Sequence, residues 1–195
     1  DMLTGEQVGL QTPAAFDTFE DFFGCVCDQL RFFADQCMER VSAIERQYVQ
    51  LYSAPLFSST LASCVESGRD VYAGGAKYNH SSINAFGLAT AVDALAAIDR
   101  LVFTDPVLSL QELAATLRSN WEGQEMLRRI CQRRMPKYGN HHPAADALAA
   151  KLMHAVAAQI NGKPNGRNGV FRTGSFSIDW RFDFGKHTAA SADGR

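Results

Sequence analysis

The sequence predicts an α/β fold that is mostly helical, with one or two strands near the C-terminal end. Three observations carry that expectation. From Phe19 to Leu51, apolar side chains recur at three- and four-residue steps, the period of a helix. Residues 84–103 form an Ala-rich segment in which only Asp93, Asp99 and Arg100 are charged, the composition of a helix buried on several faces. From Phe176 to Phe184 the pattern becomes alternating, with Phe176, Ile178, Trp180, Phe182 and Phe184 at every second position, as in a strand. No partner strand is legible beside it. Because one strand makes no sheet, its neighbours are expected in sequence outside this chain.

The elements follow from local signals. Residues 1–15 read as a loop closed by Pro13, and Asp17 with Glu20 three positions later reads as a capping box. The helix that follows shows one apolar face: Phe19, Phe22, Phe23, Val26, Leu30, Phe33, Cys37, Val41, Ile44, Tyr48 and Leu51. It should run for roughly 35 residues, on the order of 50 Å. Gly24 costs that helix about 1 kcal/mol relative to alanine without breaking it. Pro55 ends it, and a shorter helix over residues 58–66 is closed by Gly68. The loop Gly74-Gly75-Ala76-Lys77-Tyr78-Asn79 precedes the Ala-rich helix. Its paired glycines suit backbone passing where a Cβ would clash, or a positive φ. The Asn79 amide, with Ser81 and Ser82, can satisfy backbone groups inside a core. Ser109 with Glu112 forms a second capping box, for a helix reaching about Ser119. Residues 121–134 read as helical and carry Arg128, Arg129, Arg133 and Arg134. A loop turning at Tyr138-Gly139-Asn140 leads to Pro143, suited to the first turn of a last long helix ending at Asn161-Gly162. Residues 161–169 have pure turn composition.

Bulk properties narrow the function classes. With 195 residues, 46% apolar and 21% charged, the chain is long enough for one ordinary globular core. A formal net charge of -2 argues against nucleic acid as a partner. Charged residues interrupt every apolar stretch before bilayer-crossing length, which argues against a membrane role. Residues 1–15, mixed polar and apolar with no basic start, do not read as a secretory leader. Cys25, Cys27, Cys37, Cys64 and Cys131 lack metal-site spacing and read as reduced thiols of a cytoplasmic protein. Both termini, Asp1-Met2-Leu3-Thr4-Gly5 and Ser191-Ala192-Asp193-Gly194-Arg195, read as internal loop, so a piece of a longer protein is expected.

Several residues invite chemistry. Cys64 lies two positions from Glu66, a spacing that offers a thiol a proton partner. On a helix, however, residues two apart point in different directions, and a buried cysteine is commonly a small hydrophobe. His141-His142 with Asp146 has no third ligand at metal-site spacing. His187 is a candidate acid or base. The arginines at 128–134 suit phosphate, or a helix surface paired with Glu122 and Glu125. The glycines at 162, 166 and 169 follow no clear strand, as a dinucleotide loop would require. Asn79-His80-Ser81 matches a glycosylation triplet, without a leader to give it meaning. From the residues alone, no complete catalytic set is present.

Taken together, several stretches resemble the glycyl radical enzymes of the pyruvate formate-lyase superfamily. Leu3-Thr4-Gly5-Glu6 through Phe16-Asp17-Thr18-Phe19 is similar to the family's lead-in to a long helix. The GGAKYN loop followed by Gly87-Leu88-Ala89-Thr90-Ala91-Val92-Asp93-Ala94-Leu95-Ala96-Ala97-Ile98 resembles a second stretch, and Lys137-Tyr138-Gly139-Asn140 a third. There the next residue is usually Asp, and here it is His141. His187-Thr188-Ala189-Ala190-Ser191-Ala192-Asp193-Gly194-Arg195 resembles the loop before the family's Gly-Glu-Pro-Leu segment. The likeness runs the length of the chain in the family's order. The GGAKYN-like loop marks the diol-dehydratase-like branch, so the resemblance favours a radical eliminase over a formate C-acetyltransferase.

The resemblance implies a fragment of a ten-stranded α/β barrel with helices outside. It implies a glycyl radical, installed by a radical S-adenosylmethionine activating enzyme with an iron–sulfur cluster, that oxidises a finger-loop cysteine in a Gly-Cys-Val-Glu-type motif. The thiyl then takes hydrogen from a small-molecule substrate, and the motif's Glu acts as acid or base. Cys64-Val65-Glu66 mimics that motif but stands directly before GGAKYN, where the family has a non-catalytic helix. The expectation is therefore a partial domain over residues 1–195 from the C-terminal half, lacking the finger loop and the glycyl radical domain and inactive alone. Tyr78, Asn79, Asp183 and His187 are expected to line or support the pocket, with no bound metal and a homodimer for the whole protein. Two other classes compete: a cysteine enzyme using Cys64, and a free-standing helical interaction module.

Overall fold

The computed structural model describes residues 8–175 and 181–195. In chain order the elements are α1 (Phe19–Leu51), α2 (Pro55–Ser58), α3 (Ala62–Ser67), a 3-10 turn (Val71–Ala73), β1 (His80–Ala85) and α4 (Leu88–Ile98). They continue with a π-turn (Asp99–Thr104), α5 (Leu110–Arg118), α6 (Glu125–Arg134), α7 (Pro143–Ile160), β2 (Val170–Ser175) and α8 (Arg181–His187). The mostly helical α/β expectation holds. The elements fall into two compact units, and α1 and α7 each contribute to both.

The first unit comprises the chain up to Gln29, Phe86–Ala155 and the C-terminal segment. One of its cores joins Phe23 of α1 to Val92 and Leu95 of α4 and to Ala145, Ala149 and Leu152 of α7. Alanines at these contacts let the helices approach closely, and Phe23 fills the remaining space. A second core joins Ala97, Leu101, Leu113, Trp121, Cys131 and Ala192. α1 begins one residue later than the expected cap: Thr18, not Asp17, accepts the N–H of Asp21, at 3.1 Å. The Ser109–Glu112 capping box forms as expected and starts α5. Asn120 and Trp121 both take positive φ, 52° and 64°, which breaks the helical run before α6. Helix therefore resumes at Glu125 rather than 121.

The second unit comprises Leu30–Ala85 and the segment from Val156 through β2. Its core is Met38, Ile160 and Phe171, with Ala34, Val41, Ile83 and Val156 packed around them. The inward line of α1 here is thus Ala34, Met38, Val41 and the buried Glu45. Leu30, Phe33, Ile44, Tyr48 and Leu51, expected on the buried face, are exposed. The expected helix over 58–66 is divided: α2 stops at Ser58, and α3 starts at Ala62 and ends on Gly68 in the left-handed region.

The strands depart most from expectation. Residues 84–87 do not open the Ala-rich helix. β1 runs to Ala85, and Gly87, at φ 78°, caps α4. β1 pairs in parallel with β2, His80 opposite Val170 through Ala85 opposite Ser175. The C-terminal strand thus has a partner inside this chain, across the long connection that parallel pairing needs. That strand also lies earlier than expected. Of the alternating run Phe176–Phe184, residues 176–180 lie outside the described residues, and 181–184 are helical in α8. Over residues 181–184 the aromatics at every second position failed to distinguish a strand from a short helix, which periodicity alone cannot do over so few residues.

Candidate functional sites

The GGAKYN loop is built by close backbone approaches. Asp70 prepares it. Its carboxylate accepts the N–H groups of Tyr72 at 2.9 Å and Ala54 at 2.8 Å, and the Ser58 hydroxyl at 2.9 Å. These donors, the Tyr72 N–H first, hold its pKa below the ordinary carboxylate value. Gly74 takes φ 80°, and a Cβ there would stand 2.2 Å from the carbonyl oxygen of Arg167. At Gly75 a Cβ would stand 2.2 Å from the Arg69 carbonyl oxygen and 2.9 Å from the Cys64 sulfur. Both positions therefore require glycine for space, as the sequence suggested. Lys77 is tied to α3 through its N–H to the Ser63 hydroxyl, at 3.0 Å.

Behind this loop lies a knot of buried polar groups. Asn79 donates its side-chain amide to the carbonyl oxygen of Arg167. Asn165 is the hub. Its amide nitrogen donates to the Asn79 carbonyl at 3.0 Å and the Ser81 hydroxyl at 2.8 Å, and its oxygen accepts the N–H groups of Arg167 at 3.0 Å and Gly169 at 2.7 Å. Glu45, buried on α1, accepts from the Ser81 hydroxyl, from the N–H of Gly166 at 2.9 Å and from the Arg167 Nε at 3.2 Å. All four hydrogen-bonding sites of the Asn165 side chain are used, which is how such a network is tolerated inside a core. The turn-rich stretch 161–169 is thus the counterpart of the GGAKYN loop. The residues alone did not reveal that pairing, because its contacts span more than 80 positions of sequence.

A second polar cluster, in the other unit, joins three of the signature-like stretches. Asp93 of α4 accepts the N–H of Tyr138 at 2.8 Å and stands 3.7 Å from the Lys137 ammonium. Lys137 donates to the carbonyl oxygen of Asp193 at 3.3 Å. The buried Asp193 carboxylate accepts from the Ser191 hydroxyl and pairs with the Arg195 Nε at 2.9 Å. Arg128 and Gln132 both donate to the Gly194 carbonyl, at 2.8 and 2.7 Å, and Trp121 donates to that of Arg195 at 3.3 Å. Arg128 therefore serves as a clamp on the C-terminal turn. Cys131 lies fully buried beneath this cluster, and burial pushes its thiol up to about 11, with Lys137 opposing and Asp193 adding.

The single residues separate clearly. Tyr78 is 76% exposed, with Lys77 over its ring and the His80 ring 6.3 Å away. Asn79 is buried in the knot. His187 ends α8 exposed, and Asp183 lies on α8 with a side chain outside the described residues. Cys64 is buried against Gly75, whereas Glu66 on the same helix is exposed, so the pair does not form an activated thiol. Among the described residues, no three His, Cys, Asp or Glu side chains come together as a metal site. Nor, among them, is any helix long and apolar enough to cross a membrane.

Comparison with known proteins gives these loops a context. The family described as "Pyruvate formate lyase-like" matches residues 1–185. The chain is 32% identical over 195 residues to (2S)-3-sulfopropanediol dehydratase of Klebsiella oxytoca, covering 98% of this chain and 24% of that protein. It superposes on the crystal structure of hydroxyproline dehydratase from Clostridioides difficile with a TM-score of 0.91 and 30% identity, over 96% of this chain and 24% of that one. A glycyl radical enzyme from Archaeoglobus fulgidus matches with a TM-score of 0.90 and 28% identity, over 100% of this chain and 25% of its own. The chain thus spans about a quarter of the length of the relatives it matches.

Proposed function

Because the chain belongs to the pyruvate formate lyase-like family of glycyl radical enzymes, we propose that it is part of a radical dehydratase or lyase acting on a small metabolite. Its fold is that of a portion of the family's α/β barrel. The reaction is cleavage of a C–O, C–N or C–C bond, begun when a cysteine thiyl takes hydrogen from the substrate. A glycyl radical, installed by a radical S-adenosylmethionine activating enzyme, supplies the oxidising equivalent for that thiyl. The observation that supports this reading best is the match along nearly the whole chain to dehydratases of this kind, among them enzymes named for a sulfonated diol and for hydroxyproline.

The residues of this chain do not fit the radical chemistry itself. The buried Cys64 faces a glycine, and Glu66 on the same helix is exposed. Residues 1–195 hold no Arg-Val-x-Gly-Tyr or Gly-Cys-Val-Glu sequence. We therefore read them as a partial domain, with finger loop and glycyl radical carried elsewhere in the protein. What the chain contributes is positioning. Asn79, Asn165 and Glu45 fix the GGAKYN loop, so that Tyr78 is presented to the pocket. Asp183 and His187 of α8 are read as further pocket or supporting residues. The whole enzyme acts in the cytoplasm as a homodimer.

The test is turnover. The complete protein, activated without oxygen, should convert a small polyol or hydroxy acid to the corresponding aldehyde or dehydrated product, detected by mass spectrometry. Acetyl transfer from pyruvate to coenzyme A, with no elimination activity, would overturn the dehydratase reading.

A further inference from the structure

Over the stretch Leu30–Leu51, α1 has three sides of different character. Ala34, Met38 and Glu45 face the core of their own unit. Asp35, Glu39 and Arg46, all exposed, share a second side and suit it to water. The third side carries Leu30, Phe33, Ile44, Tyr48 and Leu51, which are 39–72% exposed. Leu30, Ile44 and Leu51 stand at multiples of seven residues, with Phe33 and Tyr48 three or four positions beyond one of them. That is the spacing of a stripe that packs on a neighbouring helix. Past the end of the helix, Leu56 and Phe57 are 85% and 57% exposed, and no residue from Gln47 to Val65 is charged. Arg40 borders the stripe near its midpoint. It is exposed, and no carboxylate among the described residues pairs with it.

Single apolar residues are ordinary on a protein surface, but a periodic apolar stripe about 30 Å long is a packing surface. The relatives that this chain matches are about four times its length, so most of the polypeptide that could cover the stripe lies outside residues 1–195. We propose, on the reading of the chain as a partial domain, that the stripe is a seam inside the complete protein. A helix from another part of the same polypeptide lies nearly along α1, its own apolar stripe set against Phe33, Ile44, Tyr48 and Leu51. That helix carries a carboxylate opposite Arg40, because a guanidinium brought under a covering helix needs a charge partner. A second copy of this chain fits the stripe worse. Paired about a twofold axis, the two stripes would meet at their midpoints, where one Arg40 would face another.

The test places a photo-cross-linker, benzoylphenylalanine, at Leu51 and separately at Ile44 of the complete protein. Irradiation should give a cross-link within one polypeptide, mapped by mass spectrometry to a helix outside residues 1–195. A cross-link to a second copy, seen as a doubled mass, would overturn the proposal, as would cross-links confined to residues 1–195 or none at either position. Should both substitutions prevent folding, hydroxyl-radical footprinting of the unsubstituted protein decides. Ile44 and Leu51 should then oxidise about tenfold more slowly in the folded protein than in urea, and rates within about twofold of each other would overturn the seam. Arg40→Glu should lower the urea midpoint and Arg40→Lys should keep it. A midpoint unchanged in Arg40→Glu would overturn the assigned carboxylate. None of these readouts passes through radical chemistry. A glycyl EPR doublet without the cross-link counts against the seam alone, and the cross-link without the doublet counts against the dehydratase reading alone.

Discussion

Asp93 accepts the backbone N–H of Tyr138 at 2.8 Å from the middle of a buried helix, while Lys137 stands 3.7 Å from the same carboxylate. One side chain thus joins the Ala-rich helix to the Lys-Tyr-Gly-Asn turn. Lys137 carries the link on to the C-terminal turn through the Asp193 carbonyl. Replacing Asp93 with alanine leaves the part-buried Tyr138 N–H without its acceptor and Lys137 without its charge partner. The expected loss is about 1–3 kcal/mol, read from urea unfolding of the complete protein. Asp93→Asn, which keeps an acceptor oxygen, should lose less than half of that.

The Glu45 knot makes a second prediction. Glu45→Ala strips the acceptor from Ser81, Gly166 and Arg167 together. Removing one partner of a fully buried ion pair costs about 3–5 kcal/mol. Arg167 retains some access to water, so a loss of about 2–3 kcal/mol is expected. Limited proteolysis of the variant should cut first within residues 161–169.

Glycine positions provide an internal contrast. Gly75→Ala would press a Cβ onto the Arg69 carbonyl and the Cys64 sulfur, and should cost about 1–3 kcal/mol or block folding. Gly24→Ala meets nothing within 4 Å on the exposed side of α1, and should stabilise by up to about 1 kcal/mol. A shift of the same sign in both thermal midpoints would contradict this account.

Thiol chemistry follows burial. The exposed Cys37 should react first with a thiol reagent, and Cys64 and Cys131 only on unfolding. The Cys131 value is raised from 9.0 to about 11. The unfolded chain therefore sheds this proton first as pH rises, and binds fewer protons than the folded chain between the two values. The contribution of Cys131 is fully present below pH 9 and is lost as pH climbs from 9.0 to about 11. Cys131→Ala should flatten that part of the stability–pH curve.

How much of this was legible depends on the range of the signal. Local signals were read well: the Ser109–Glu112 cap, Pro143 at the start of α7 and Gly68 after α3 all rest on neighbouring residues, whereas the close-packed Gly74-Gly75 pair, also read, packs in part on the distant Arg167 carbonyl. The resemblance in signature stretches identified the family. Signals acting at a distance were not read. The alternation His80, Ser82, Asn84 against Ser81, Ile83, Ala85 is present in the sequence, but the Ala-rich run beyond it suggested that helix began at Asn84. The partner strand Val170–Ser175 contains a glycine and an arginine, weak strand formers by composition, and only the parallel register with β1 explains them. On α1, an apolar stripe could not reveal that its second half leaves Ile44 and Leu51 exposed and buries Glu45, because Glu45 is buried for partners more than 35 residues away.

The most direct test of the central claim is EPR of the complete protein after anaerobic incubation with a radical S-adenosylmethionine activating enzyme and a reductant. The account predicts the doublet of a glycyl radical, lost on exposure to air. Absence of the doublet, under conditions where the same activating enzyme radicalises its own partner and the full-length protein is folded and soluble, would contradict it.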